Sequence, residues 1–369
     1  MKYYIIAGEA SGDLHASNLM KGLLKKDKNA EFRFWGGDLM EEVGGTLVKH
    51  YRDLSFMGFV EIIMNLTTVL GNVKFCKKDI AQYQPDVLVF IDYSGFNLRI
   101  AKWAKEQGFK TNYYISPQVW ASRANRVIDI KRDIDNMYVI LPFEKEFYKK
   151  YDFDVNFVGH PLIDAIANRE LMDETSFRKE NSLNGKPIIA LLPGSRKQEI
   201  TKMLSVMLSL VDEYKQYQFV IAGAPSQDFD YYKTFIKTDN VSFVTNKTYD
   251  LLSVSTAALV ASGTATLETA LFKVPQIVCF KGNAISYQIA KRIITLKFIS
   301  LVNLIMDKEV VTELIQKDFN KKNLKLELNK ILEGESRKQM LKIYDALEGK
   351  LGGTGASEKT ANMIIEANH

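Results

Sequence analysis

The chain opens MKYYIIAGEASGDLHASNLM (Met1–Met20), and the reading of this stretch decides the fold. Tyr3–Ala7 is apolar throughout rather than alternating, as expected of a strand buried on both faces of a parallel sheet. Gly8-Glu9-Ala10-Ser11-Gly12-Asp13 then breaks the run, and a helical pattern starts at Leu14. A strand, a glycine-bearing turn and a helix form the first half of a βαβ unit. Glycines let backbone approach a ligand closely, and a helix N-terminus favours anions. The spacing is not G-x-G-x-x-G and no G-K-[ST] is present, so neither the dinucleotide nor the P-loop fingerprint applies. The turn reads equally well as a tight connection with Ser11 or Asp13 capping the helix.

The same pattern recurs along the chain. Strands are expected at Phe32–Trp35, Val87–Ile91, Thr111–Ile115, Met137–Leu141 and Asn156–Val158. A second set falls at Ile188–Leu192, Phe219–Ala222, Val241–Val244, Ala258–Ala261 and Gln276–Phe280. Helical stretches between them imply right-handed crossovers, hence an α/β chain of two Rossmann-like, doubly wound parallel sheets. The pattern pauses between Asp164 and Lys186, where the sequence is polar and ends in Asn-Gly and Pro. That places a boundary between residues 1–168 and residues 169–350. LGGTGASE (Leu351–Glu358) reads as a flexible break, and the last helix, Lys359–Glu366 within 354–369, is assigned to the first domain.

Composition narrows the class. At about 150 residues per domain, 369 residues make roughly two domains. Hydrophobic content of 46% and charged content of 25% exclude a disordered, collagen-like or disulfide-scaffold chain. Cys76 and Cys279 lie far apart with no C-x-x-C pair, which fits a reducing compartment and argues against zinc or an iron–sulfur cluster. His15, His50, His160 and His369 show no metal-binding spacing. The start carries no apolar export segment, so export is not expected. The net charge is +5, but Lys and Arg are spread along the chain rather than gathered in a stripe, so no nucleic acid is expected as a partner.

In open α/β sheets, ligands bind at the carboxyl ends of strands. After Val87–Ile91 comes Asp92-Tyr93-Ser94-Gly95-Phe96-Asn97, whose Asp92 is either a helix cap or a catalytic carboxylate. After Thr111–Ile115 comes a Pro-fixed loop with Gln118, Trp120 and Arg123, either ligand-facing or simply packed. After Ile188–Leu192, Pro193-Gly194-Ser195-Arg196 reads either as a guanidinium and a helix N-terminus aimed at one spot, as a phosphate or diphosphate needs, or as a helix cap with a solvated Arg. Gly263 and Thr264 open another helix with free N–H groups, and Glu268 sits about a turn further on, either placed to accept ribose hydroxyls or simply favoured there by the helix macrodipole. Asn303 lies in an apolar run, either satisfied by backbone or in contact with a ligand. From Leu54 to Val73 the only charge is Glu61, and the polar Asn65, Thr67, Thr68 and Asn72 argue against a spanning helix. A core helix or an interfacial patch remains.

AGEASGD (Ala7–Asp13), MGFVEI (Met57–Ile62), ISPQVWASR (Ile115–Arg123), LPFEKEFY (Leu141–Tyr148), GHPLID (Gly159–Asp164), LLPGSR (Leu191–Arg196) and SGTATLE (Ser262–Glu268) occur in this order. Together they resemble the lipid-A-disaccharide synthase family of bacterial glycosyltransferases, from about Tyr3 to beyond Leu314. The resemblance implies a GT-B fold with a central cleft. It implies transfer of 2,3-diacylglucosamine from UDP-2,3-diacylglucosamine to 2,3-diacylglucosamine 1-phosphate, giving a β-1,6 disaccharide 1-phosphate and UDP. It implies no cofactor and no metal, and a peripheral location on the cytoplasmic face of the inner membrane. By the same resemblance Asp92 is the base, with Asn303 near the reaction. Gly194, Ser195, Arg196, Gly263, Thr264 and Glu268 hold UDP, and Gly8, Glu9, Ser11, Gly12, Asp13, Gln118, Trp120 and Arg123 form the acceptor side.

Two residues depart from the family pattern. Gly95 stands where a second acid is common, which shifts weight onto Asp92, and Ser122 replaces an aromatic residue beside Arg123. Two acylated substrates require contact with a bilayer, so Phe56, Met57, Phe59 and Ile63, followed by Lys74, Lys77 and Lys78, are expected to meet an inner-membrane phospholipid surface. The glycine-rich break before the last helix leaves a homodimer open. The competing readings are another GT-B UDP-sugar enzyme, such as a UDP-GlcNAc transferase or epimerase, and a non-catalytic two-lobed nucleotide-sugar binding protein.

Overall fold

The computed structural model describes residues 1–54, 66–224, 227–283, 287 and 296–368, with the side chains of 66 and 67 set aside. The described chain divides into two compact units, Met1–Asp164 with Leu351–His369, and Ala165–Lys350. The expected boundary at 168/169 thus lies four residues beyond the division seen.

The first unit holds β1 (Lys2–Ala7), β2 (Glu31–Gly36), β3 (Thr46–His50), β4 (Val87–Ile91), β5 (Thr111–Tyr114), β6 (Asn136–Val139) and β7 (Asn156–Phe157). They form one parallel sheet in the order β3-β2-β1-β4-β5-β6-β7. Apolar runs buried on both faces dictate this arrangement, because parallel strands need crossover helices and those helices cover both faces. Side chains alternate between the two cores. On β1, Tyr4 and Ile6 enter one, while Tyr3, Ile5 and Ala7 enter the other. The second unit holds β8 (Ile188–Leu192), β9 (Gln218–Gly223), β10 (Val241–Thr245), β11 (Ser255–Ala261), β12 (Gln276–Phe280) and β13 (Glu313–Ile315), all parallel, in the order β10-β9-β8-β11-β12-β13. Both sheets have the doubly wound order in which winding reverses beside the first strand, between β1 and β4 and between β8 and β11.

The sequence reading passed over β3 and β13. Both are edge strands, where burial on two faces no longer dictates an apolar run. β3 reads TLVKH and is nowhere fully buried, and β13 is three residues long.

The chain's last helix, Ala356–Asn368, packs in the first unit against the helix Ala10–Lys26, adding Ala361 and Ile364 to its core. Gly22 permits the close approach: a Cβ there would lie 3.1 Å from that of Ala361. The LGGTGASE segment is seated rather than loose. Leu351 is fully buried, its carbonyl accepts the His160 N–H at 2.9 Å, and Gly352 turns at φ +91° against Gly159. Asp164, almost fully buried, accepts the N–H groups of Gly355 (2.5 Å) and Ser357 (3.1 Å) and so caps the last helix from outside. GHPLID is therefore the socket in which the returning chain docks. Asp164→Ala should cost about 1–2 kcal/mol of stability, by analogy with a lost helix cap. Thermal unfolding measures it, and an unchanged Tm would refute the socket.

Candidate functional site

In the first unit the reversal of winding sets the carboxyl ends of β1 and β4 side by side, with Ala7 opposite Ile91. The turn after β1 presents Glu9 and Ser11 to solvent. Gly8 and Gly12 are there for packing: a Cβ on Gly8 would strike the Tyr93 ring at 2.3 Å, and one on Gly12 would press on Ala7 at 3.2 Å. Asp13 is committed to the fold. Its carboxylate accepts the N–H groups of Gly37 (2.8 Å), Leu39 (3.1 Å) and Met40 (3.1 Å), capping the helix Asp38–Val43. That engagement matches the helix-capping reading of Asp13, with the capped helix being the next one rather than its own.

After β4 the chain turns sharply. Asp92 (φ 44°) and Tyr93 (φ 45°) are consecutive left-handed residues, each costing about 1–2 kcal/mol without the freedom of glycine. The neighbouring structure holds them there. The Asp92 N–H donates to Tyr114 O at 3.2 Å, and its carbonyl accepts from Asn97 Nδ2 at 2.9 Å and from the buried Tyr113 hydroxyl. Burial, and then the like charge of Glu9, push the Asp92 carboxyl from 3.8 up to about 6. Such a group is ionised at neutral pH, yet basic enough to take a proton.

The loop after β5 is anchored by a residue the sequence reading left unassigned. Buried Glu144 accepts the Ser116 hydroxyl and the N–H groups of Leu141 (2.8 Å) and Ile140 (3.2 Å), and burial pushes its carboxyl up to about 7. Trp120 packs edge-on against Phe143, whereas Gln118 and Arg123 are exposed.

In the second unit the corresponding reversal brings two turns together. Gly194 turns at φ +100°, and a Cβ there would lie 3.6 Å from that of Ala261, at the end of β11. Arg196 opens the helix Lys197–Leu208, with Ser195 exposed just before it. The Arg196 N–H meets the Glu199 carboxylate at 3.4 Å, and its guanidinium, 82% exposed, pairs weakly with the same group. Gly263 and then Thr264 open the helix Thr264–Leu271, whose first N–H groups are free of intrahelical partners. Glu268 on that helix accepts the Tyr249 hydroxyl at 2.8 Å, and burial raises its carboxyl above the ordinary range. Glu268 and Tyr249 border a hollow of about 300 Å³ that Arg169, Asn246 and Thr248 also line. The Arg169 guanidinium lies 5.0 Å from the Tyr249 ring centre. Sequence reasoning missed four of these five lining residues. Asn246, Thr248 and Tyr249 follow β10 and were open to the carboxyl-end rule, but Arg169 sits in the polar stretch and carried no signal.

Asn303 is held by the fold around it. It is fully buried, and its side chain is spent within its own loop. Nδ2 donates to Val311 O and Glu313 Oε1 (both 2.9 Å), and Oδ1 accepts from the N–H groups of Val310 (2.7 Å) and Val311 (3.0 Å). Both amide donors and both acceptor positions are used, so it shapes the loop that joins its helix to β13. Phe56, Met57, Phe59 and Ile63 lie outside the described residues. Among the described residues, no group of three or more His, Cys, Asp or Glu is arranged to hold a metal ion.

Comparison with known proteins adds to this geometry. A family model described as lipid-A-disaccharide synthetase matches residues 3–365. A lipid-A-disaccharide synthase of Syntrophus aciditrophicus (strain SB) is 39% identical over 98% of this chain and 96% of its own length. One from Geobacter sulfurreducens is 35% identical over the same shares. Among solved structures, a UDP-GlcNAc 2-epimerase from Neisseria meningitidis bound to UDP-GlcNAc aligns over 100% of this chain and 99% of its own, with TM-score 0.64 and 12% identity. The glycotransferase of kitacinnamycin aligns over 100% and 98%, with TM-score 0.67 and 11% identity. These two likenesses are of fold, the GT-B arrangement of two parallel-sheet α/β units.

The Asp92 environment can be measured without substrate. Carboxyl ¹³C titration should give Asp92 a midpoint of about 6, and Glu9→Gln should lower it. A midpoint near the ordinary 3.8, unmoved by Glu9→Gln, would contradict the site as drawn.

Proposed function

This chain belongs to the lipid-A-disaccharide synthetase family, and from that membership we propose how its residues divide the reaction. It is a glycosyltransferase of lipid A synthesis. In the proposal, UDP-2,3-diacylglucosamine is the donor and 2,3-diacylglucosamine 1-phosphate the acceptor. An α-linked donor giving a β-linked product means inversion, hence a single displacement. The acceptor's 6-hydroxyl oxygen forms the new bond to the anomeric carbon, and its proton passes to the Asp92 carboxylate. The bond from that carbon to the diphosphate breaks, and its electron pair leaves on UDP.

The departing diphosphate needs positive charge and N–H donors fixed in advance. The Arg196 guanidinium and the helix opening at Gly263 and Thr264 provide them, and Glu268 accepts the ribose hydroxyls. The observation that carries the reading is the adjacency of the turns after β8 and β11 at the second sheet's reversal, the helix that follows the second turn carrying Glu268 to a hollow. UDP release with acylated and non-acylated donors tests it. The acylated donor should turn over, and Asp92→Asn should lose about 10²–10⁴-fold in rate, the usual range for a general base. Equal turnover of a non-acylated donor, or a fully active Asp92→Asn, would defeat it.

The proposal places the protein at the cytoplasmic face of the inner membrane. Among the described residues no helix is long and apolar enough to cross a bilayer. The helix Leu66–Tyr83 instead exposes Leu70 (55%) and Phe75 (48%) beside exposed Lys74 and Lys78. Leu70, Lys74 and Lys78 recur every fourth residue and share one face. Apolar contacts bordered by cations suit an anionic lipid surface. Phe75→Glu with Leu70→Glu should weaken sedimentation with anionic phospholipid vesicles on the order of tenfold. Unchanged binding to vesicles would remove this helix from the membrane contact.

A further inference from the structure

We propose that Asn97 is a positioning residue for the Asp92 carboxylate, holding the left-handed Asp92–Tyr93 turn together with the Tyr113 hydroxyl. The proposal rests on Asp92 being the base. Asn97 is fully buried in the first turns of the helix Ser94–Glu106. An asparagine that caps a helix accepts from the helix's N–H groups. Asn97 does the reverse: its Nδ2 donates to carbonyls upstream of the helix. Asp92 O lies at 2.9 Å, Ile91 O at 3.2 Å and Ile6 O at 3.3 Å. These bonds do nothing for the helix. They tie the end of β1 to the end of β4 where the winding reverses.

The Asp92 peptide is gripped from both directions. Its N–H is held by Tyr114 O on β5, and its carbonyl by Asn97 and by Tyr113, also on β5. Tyr93 O in turn accepts the N–H groups of Phe96 (3.1 Å) and Asn97 (3.0 Å). All of these bonds fix the main chain from which the carboxylate projects. Without Asn97, two non-glycine residues at φ 44° and 45° lose a main reason to stay left-handed. Relaxation of either one re-aims the carboxylate, and misplacement by about 1 Å can cost on the order of 100-fold in rate. This role gives the asparagine of the D-x-x-G-F-N run a function that the missing second acid at Gly95 does not supply.

The test compares Asn97→Ala, Tyr113→Phe and Asp92→Asn in the full chain. Turnover is measured with the lipid donor and acceptor, and UDP affinity by calorimetry. Asn97→Ala should lower kcat about 10- to 100-fold and Tyr113→Phe several-fold, with acceptor KM and UDP affinity within about two-fold of wild type. Tyr113→Phe removes one oxygen and carries the test should Asn97→Ala fold poorly. Two results would overturn the proposal: wild-type kcat in folded Asn97→Ala or Tyr113→Phe beside an inactive Asp92→Asn, or a loss that falls equally on UDP affinity and KM. Wild-type turnover by Asp92→Asn marks the other failure, that of the base reading, and takes the positioning role with it.

Discussion

Neighbouring parallel strands cannot be joined by a tight hairpin, so each connects to the next through a helix laid across a face of the sheet. Where successive crossovers switch faces, the turns leaving the two central strands diverge and leave an opening at the sheet's carboxyl edge. This chain meets that constraint twice, at β1/β4 and at β8/β11. Each reversal sets two turns side by side, and each turn ends at a helix opening. The first reversal carries Glu9 and Asp92 and the second carries Arg196 and Gly263, so the winding of the sheets, rather than proximity in sequence, assembles both sets.

The same geometry sorts the acidic residues of the first unit. Asp13 and Asp164 spend their carboxylates on backbone N–H groups, holding a neighbouring helix and the returning C-terminal helix, while Glu144 takes the N–H groups after β6 with one oxygen and the Ser116 hydroxyl in the loop after β5 with the other. At Asp92 the main chain is held by Asn97 and Tyr113, and the carboxylate meets the Tyr93 N–H, while burial and Glu9 raise its affinity for a proton. A carboxylate with its affinity raised in this way is basic enough to take a proton at neutral pH. The cost is a pair of left-handed residues, kept in place by Asn97 and the β5 tyrosines.

Much of this was legible in the sequence, because central parallel strands are written as unbroken apolar runs and function gathers where those runs end. Reading the residues after each strand singles out Asp92, Arg196, Gly263 and Glu268 as candidates, and the fold sets each of them at a reversal of winding. Legibility failed where the determinants are tertiary. The edge strands β3 and β13 lack the two-sided burial that marks a central strand. A buried Asn looks the same in sequence whether its amide meets backbone or substrate, so the residues alone leave both readings of Asn303 open and give no signal for Asn97. Asp13 caps a helix more than twenty residues away, and Arg169 joins its hollow through the fold of the second unit alone.

The central claim is that the second sheet's reversal holds the nucleoside diphosphate. A crystal structure of the full chain with UDP tests it most directly. The account predicts ribose hydroxyls on the Glu268 carboxylate and the diphosphate against Arg196 and the Gly263–Thr264 helix opening. UDP seated instead at the turn joining Gly8 to Asp13, or bound in the second unit without contact to Arg196 and Glu268, would contradict it.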